Sequence, residues 1–394
     1  MALRNFNTTR TTATDYIVGE DEIVLNELQR ICETSPTVAI IDAGARTAQK
    51  ERVARLLSAA ACTDIMLLEG GEKCKAPQEL FKILHFLAET KLPKHGHVLA
   101  IGGGAVLDVA AMAASLMRRG TPLILIPSTL LSQIDAAIGG KHGINFGKEK
   151  NLLGGFHHPD AVLCNPLLLD TLGQREIICG LAEAIKVLAT SDAAAFERHF
   201  IKGPMDLSAL VLDCVSSKLN LLQEDPFETS SRRVLNYGHA FAHLLEEESV
   251  FALAHGEAVL LGMLVENEIS RAVTSAQDFQ IDDLQGIIGS YLTPGCRRYW
   301  ISFDQIRPKL PSVRQMRRGF LNLVCIQSAG DTIIIDDATD DVLEAAWSRA
   351  ELWVRTTPSR ETGMPIHLTP SRNEQEIIVK QFEVDAPSAS ALQH

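Results

Sequence analysis

No apolar run in this chain has membrane-spanning length. The most apolar stretches, Val98–Met117 and Pro122–Leu131, are short or are broken by Asp108 and by glycines, so no transmembrane helix is expected. An excess of basic residues is also missing. Thirty-seven Lys and Arg face 49 Asp and Glu, a formal charge of −12, which gives no support to nucleic acid as a main partner. An anionic substrate would need a locally clustered set of cations. The eight cysteines are scattered without a CxxC pair, so reduced thiols are expected rather than a disulfide framework or a cysteine zinc site. Met1–Asp15 is polar and lacks the apolar core of a secretion signal, so a cytoplasmic protein is expected. Internal repeats and long charge runs are absent as well. What is present is 394 residues, 46% hydrophobic and 22% charged. That is ordinary for a globular chain and long enough for two domains.

The first part alternates short apolar runs with helical patterns. Thr37–Asp42, Ile65–Leu68, His97–Ile101 and Leu123–Ile126 read as strands, and Gln49–Ala61, Pro77–Thr90 and Ala105–Arg118 as helices. This order implies a parallel sheet with helices on its faces. From about Leu168 long helical patterns dominate: Gln174–Thr190, Pro204–Leu222, Arg233–Glu248 and His255–Ala272, with one hairpin in Phe320–Ile335. The expected architecture is an α/β nucleotide-binding domain over 1–167, a mainly α-helical metal and substrate domain over 168–356, and a loosely attached polar tail over 357–394.

Three constellations carry chemistry. Gly102-Gly103-Gly104, between a strand and a helix, lets backbone amides approach a phosphate at a helix N-terminus, although it is not GxGxxG and equally suits a tight turn. Asp42, ending the first strand, suits a ribose hydroxyl, with a helix cap as the plainer reading. Lys141, Lys148 and Lys150 with Asn145 and Asn151, interleaved with glycines, form a flexible cationic loop suited to a phosphorylated substrate. Finally, Glu183, His239 and His255 each lie on or beside a helix, and two imidazoles with one carboxylate make a catalytic zinc set. His239 and His243 are four apart on one helix face, so that pair competes with His255.

These residues resemble a known family. The run GGGAVLDVAA…RRGTPLILIPSTLLSQIDAAIGGKHGIN…EKNLLGGFHHP, with GLAEAIK, RRVLNYGHAFAH and AHGEAV, is similar to the sugar phosphate cyclases, above all the 3-dehydroquinate synthases, from about Asp42 to Gly262. The resemblance implies NAD in the first domain and a divalent metal, zinc or cobalt, in the second. It implies a reaction in which NAD transiently oxidises a hydroxyl, phosphate leaves, the ketone is reduced again and the opened ring closes by an aldol step. It implies Glu183, His239 and His255 as metal ligands, and Asp42, Glu72, Lys75, Gly102, Gly103, Gly104, Asp108, Ser128 and Thr129 as cofactor contacts. Asp135, Lys141, Lys186 and His243 are implied catalytic residues, and Lys150, Asn151, Lys218, Arg232 and Asn236 substrate contacts. Arg119 is implied to reach the phosphate site of a neighbouring subunit in a homodimer.

Lys218, Arg232 and Asn236 favour a carboxylate-bearing substrate, 3-deoxy-arabino-heptulosonate 7-phosphate, converted to 3-dehydroquinate. Amino-dehydroquinate, 2-deoxy-scyllo-inosose and 2-epi-5-epi-valiolone synthases are the alternative. Departures from the family pattern point toward such a divergent member. His142 replaces a small hydroxyl residue, Phe146–Lys150 is altered, and Val313–Gly319 lacks an Asp-Lys-Lys run, with Arg317 the expected replacement cation.

Overall fold

The computed structural model describes residues 11–147, 149–202, 205–228, 234–274, 278–358, 368–369 and 378–385. Its contacts divide into two units. One is Met1–Thr171 with Leu222–Phe227 and Asn373–His394; the other is Leu172–Leu221 with Glu228–Arg372.

In the first unit, strands β1 (Thr11–Val18), β2 (Thr37–Asp42), β3 (Asp64–Leu68), β4 (His97–Gly102), β5 (Leu123–Pro127), β6 (Lys141–Phe146), β7 (Glu149–Phe156) and β8 (Ala161–Cys164) follow in chain order. The main sheet has seven strands in the order Ile378–Asp385, β1, β8, β5, β4, β2, β3. All pairs are parallel except the first. Ile41, Leu99, Ile101, Ile124, Ile126 and Leu163 are buried in one cluster. Strands covered on both faces read as continuous apolar runs, which is why β2, β4 and β5 stand out in the sequence.

The expected loose tail is corrected by the strand Ile378–Asp385, which pairs along all eight residues of β1. Phe382 and Val384 are buried there, and Phe382 meets Tyr16 edge to face. Only Asp15–Val18 of β1 pair with β8, so among the described residues the polar half, Thr11–Thr14, has a strand on one side only. The expected flexible loop around Lys141 is corrected too. It is an antiparallel hairpin, β6 with β7, irregular between Ile144 and Phe146. Lys148 lies outside the described residues.

In the second unit the helix His255–Val273 is buried without a break from Gly256 to Ser270. A helix that is buried all round has neighbours on every face. The expected helix Arg233–Glu248 is interrupted: Val234–Asn236 is a 3-10 turn, Gly238 is left-handed (φ 81°), and a helix starts at His239. The cause is tertiary. A Cβ on Gly262 would lie 1.9 Å from the Gly238 carbonyl oxygen, and one on Gly256 would lie 2.3 Å from Cys179 Cα. Glycine at both positions lets the central helix touch the backbone before His239 and the helix Gln174–Ser191 that carries Glu183.

Candidate active site

Three chain segments bring one carboxylate and two imidazoles together. Glu183 lies in the middle of Gln174–Ser191 and is fully buried; His239 and His255 each open a helix. One ligand atom from each lies within 4.8 Å of the other two. The Nε2 atoms of His255 and His239 stand 3.2 and 3.8 Å from Glu183 Oε1. The other ring nitrogens are held from behind. His239 Nδ1 is 3.1 Å from the Tyr237 carbonyl, and His255 Nδ1 is 3.4 Å from Glu246 Oε2. A donor set of one carboxylate oxygen and two imidazole nitrogens, each ring held through its Nδ1, fits a zinc-type divalent ion.

The electrostatics are uneven. Burial pushes His239 down to about 3, helped by the Lys186 charge and opposed by Glu183. Burial also disfavours the His255 cation, but hydrogen bonds to Glu183 and Glu246 outweigh it and raise the group to about 10. Lys186, one turn after Glu183 and buried, forms an ion pair with Glu183 Oε2.

The rival pair His239 and His243 is not gathered with Glu183 in one cluster among the described residues. His243 groups instead with Glu246 and His255. Its side chain is 59% exposed, with Nδ1 3.2 Å from Glu246 Oε2. Lys218 is buried on Leu207–Glu224, Asn236 is half-buried, and Arg232 lies outside the described residues. Arg317 departs from expectation. Its guanidinium donates to the carbonyls of Leu321 (2.8 Å) and His239 (3.1 Å), so it supports the backbone that presents His239. Sequence reading missed Glu246 and Glu266. The spacing His239, His243, Glu246 was the available signal, since all three share one helix face. Glu266 is fully buried and accepts from Val324 N at 3.2 Å.

In the first unit the expected cofactor residues gather at the carboxyl ends of β2, β4 and β5, where parallel sheets bind ligands. Asp42 closes β2 and caps the next helix, accepting from Gly44 N (2.8 Å) and Ala45 N (3.3 Å) through Oδ1. Side chains are excluded around it: a Cβ on Gly102 would meet Asp42 Cβ at 2.9 Å, and one on Gly103 or Gly104 would meet Thr129 or Ala136 at 3.2 and 3.1 Å. Ser128 N donates to the Gly102 carbonyl at 2.8 Å, and Thr129 turns the chain through Ser132. Lys75 bridges Asp108 (2.5 Å) and Asn151, and Asn145 donates to Glu72 (2.8 Å), so the hairpin is tied to the Glu72–Lys75 turn. Burial raises Asp108 to about 6 against the pull of Lys75. Asp135 is half-buried in the turn after Thr129, Lys150 is half-buried in β7, and exposed Lys141 opens β6 with its ammonium 6.0 Å from the Phe156 ring. Arg118 and Arg119 are exposed and both left-handed (φ 53° and 65°), just before Gly120. His142, the family departure, is buried beside the Gly140 carbonyl, and burial lowers it to about 4.

Residues 65–179 match the family described as 3-dehydroquinate synthase N-terminal, and residues 180–307 the one described as 3-dehydroquinate synthase C-terminal. A 3-dehydroquinate synthase of Campylobacter concisus is 34% identical over 330 residues, covering 82% of this chain and 94% of the relative. Among solved structures, a 2-epi-5-epi-valiolone synthase from Streptomyces hygroscopicus with NAD+ and Zn2+ bound superposes with a TM-score of 0.75 at 27% identity, covering 89% of this chain and 98% of that one. A 2-deoxy-scyllo-inosose synthase complexed with carbaglucose-6-phosphate, NAD+ and Co2+ shares the fold at a TM-score of 0.72 and 20% identity, over 87% of this chain and 99% of that one. The chain belongs to the 3-dehydroquinate synthase family of sugar phosphate cyclases.

Proposed function

We propose that this protein is a carbon–oxygen lyase of the 3-dehydroquinate synthase type. It converts 3-deoxy-arabino-heptulosonate 7-phosphate to 3-dehydroquinate and phosphate, with NAD and a divalent metal, zinc or cobalt, as cofactors. The observation that carries the reading is the convergence of Glu183, His239 Nε2 and His255 Nε2 in one cluster, its carboxylate buried and its imidazoles half-buried. These three hold the metal, and Asp42, Glu72, Lys75, Gly102–Gly104, Asp108, Ser128 and Thr129 hold NAD. When bound, the metal polarises a substrate oxygen and NAD supplies a reversible hydride acceptor.

The chain's own residues do the rest. Buried Lys186 keeps a positive charge beside Glu183, where it favours an oxyanion over an alcohol. His243 exchanges protons, with its Nδ1 fixed by Glu246. Lys218 and Arg232 supply the positive charge, and Asn236 the amide, that orient the carboxylate. Lys141, Lys150, Asn151 and Asp135 gather the phosphate and the adjoining hydroxyls. Arg317, engaged with backbone carbonyls, is removed from the substrate contacts.

A homodimer suits the first unit. Phe146, Leu152, Leu153 and Phe156 leave the hairpin with exposed apolar side chains, and two left-handed residues display Arg119. No helix among the described residues is long and apolar enough to cross a membrane. A cytoplasmic enzyme feeding aromatic amino acid biosynthesis fits these features.

A second reading, a sister cyclase of secondary metabolism, is favoured by the 27% identical valiolone synthase structure and by His142. One assay separates the two. Phosphate release is measured with the heptulosonate phosphate, sedoheptulose 7-phosphate and glucose 6-phosphate in parallel, with and without a chelator. Release from the acid alone, stopped by the chelator and without NADH build-up, is the expected result. Release only from a sugar lacking the carboxylate replaces the first reading with the second.

A further inference from the structure

We infer that Glu246 is a positioning residue that holds the metal ligand His255 and the proton-exchange residue His243 through a single carboxylate oxygen. The inference rests on the metal assignment above. Glu246 lies seven residues after His239 and three after His243 on the helix His239–Glu248, and it is 3% exposed. Its Oε2 stands 3.2 Å from His243 Nδ1 and 3.4 Å from His255 Nδ1, and the two rings stack at 25° with centroids 6.1 Å apart.

A buried carboxylate needs donors, and two imidazole N–H groups supply them. Placing both protons on Nδ1 leaves each Nε2 with its lone pair free. On His255 that lone pair belongs to the nitrogen 3.2 Å from Glu183 Oε1, inside the ligand cluster. On His243 it belongs to the nitrogen that faces away from Glu246.

The two imidazole ligands are therefore oriented differently. A neutral carbonyl, that of Tyr237, stands behind His239, whereas an anion stands behind His255. A carboxylate behind an imidazole raises its strength as a ligand as well as fixing its ring. Glu246 thereby makes His255 the ligand whose hold depends on a second side chain, where that of His239 depends on backbone.

The test measures Zn2+ affinity of the full chain by competition with a chromophoric chelator, for wild type, Glu246→Gln, Glu246→Ala and His255→Ala. Nucleotide binding and thermal unfolding serve as fold controls. Glu246→Ala is expected to weaken zinc binding by about 10- to 100-fold, and Glu246→Gln by about tenfold, because it retains shape but loses charge. The visible bands of the Co2+-loaded protein are expected to shift in Glu246→Gln, a change that a merely packing role would not produce. If Glu246→Ala fails to fold, the isosteric Gln variant decides. Zinc affinity within about twofold of wild type in Glu246→Gln, with His255→Ala losing zinc, overturns the role of Glu246 and leaves the metal site standing. Zinc binding that survives His255→Ala overturns the ligand assignment itself, and the inference with it.

Discussion

The two units of this molecule assemble their sites by opposite means. In the first, backbone does the work: Gly102 leaves no room for a Cβ, Gly103 and Gly104 leave little, and Asp42 is tied to amide groups. In the second, side chains do it. Among the described residues the buried carboxylates Glu183, Glu246, Glu257, Glu266 and Glu268 all belong to the second unit. A backbone site is sensitive to added volume, and a side-chain site to lost charge. The second unit also depends on two glycine contacts, so it is exposed to both kinds of damage.

The largest effect expected is therefore a volume change in the helical unit. Gly262→Ala puts a methyl group 1.9 Å from the Gly238 carbonyl oxygen, and relief must shift either the backbone before His239 or the helix that begins at His255. A loss of about 3 kcal/mol or more in urea unfolding is expected, together with loss of bound zinc. The matched control is Gly286→Ala, on the exposed side of another helix of the same unit, where a Cβ meets nothing within 4 Å. It should raise stability by about 0.5–1 kcal/mol. Equal destabilisation of both variants would break the argument from close approach.

Charge comes next. His255→Ala and Glu183→Gln should each cut phosphate release by about 10³-fold, since metal polarisation is worth several kcal/mol. Lys186→Ala should cost about 10²- to 10⁴-fold while NAD binding, measured by fluorescence titration, stays unchanged. A loss of NAD binding in Lys186→Ala would undo the separation of roles between the two units. The backbone site should respond more gently. A Cβ on Gly70 would sit 2.4 Å from Asp42 Oδ2, so Gly70→Ala must swing that carboxylate off its cap. NAD affinity should then fall about tenfold, equivalent to about 1.4 kcal/mol. Unchanged affinity would remove Asp42 from the nucleotide contacts.

This contrast also explains what could be read in advance. β2, β4 and β5 were legible because strands buried on both faces must be apolar throughout. β1 was not, because among the described residues its polar half pairs only with a strand some 370 residues away, and no local pattern announces that pairing. The hairpin of β6 and β7 was hidden by its own lysines and glycines, which read as a loop although Lys141, Gly143, Gly154 and Gly155 lie in the paired strands themselves. On the site, the acidic and imidazole residues were legible by type. Spacing alone did not choose between His243 and His255, since four residues fit a ligand pair equally well; the family resemblance made that choice. In the fold it depends on Gly238 and Gly262 meeting across 24 residues, and on Glu246 drawing the His243 ring toward itself. The bonds from Arg317 to the Leu321 and His239 carbonyls were equally hidden, because backbone acceptors carry no sequence label.

The smallest effect expected tests whether the buried carboxylates of the helical unit set its response to pH. Burial raises Glu266 from 4.5 to about 8, while the Gly238, Val324 and Ala240 amides and the Arg317 charge hold it back. A carboxyl group raised on folding stabilises the protein fully below its unfolded value. That contribution is lost as pH climbs from about 4.5 through about 8, because the folded chain must then bury an anion. Denaturation midpoints of the wild type should therefore fall between pH 5 and pH 9. Glu266→Gln cannot ionise and keeps an oxygen to accept the Val324 amide, so its midpoint should change less across that window and overtake the wild type at its alkaline end. Parallel curves for the two proteins would show that Glu266 stays ionised throughout, with Arg317 and the amides outweighing burial.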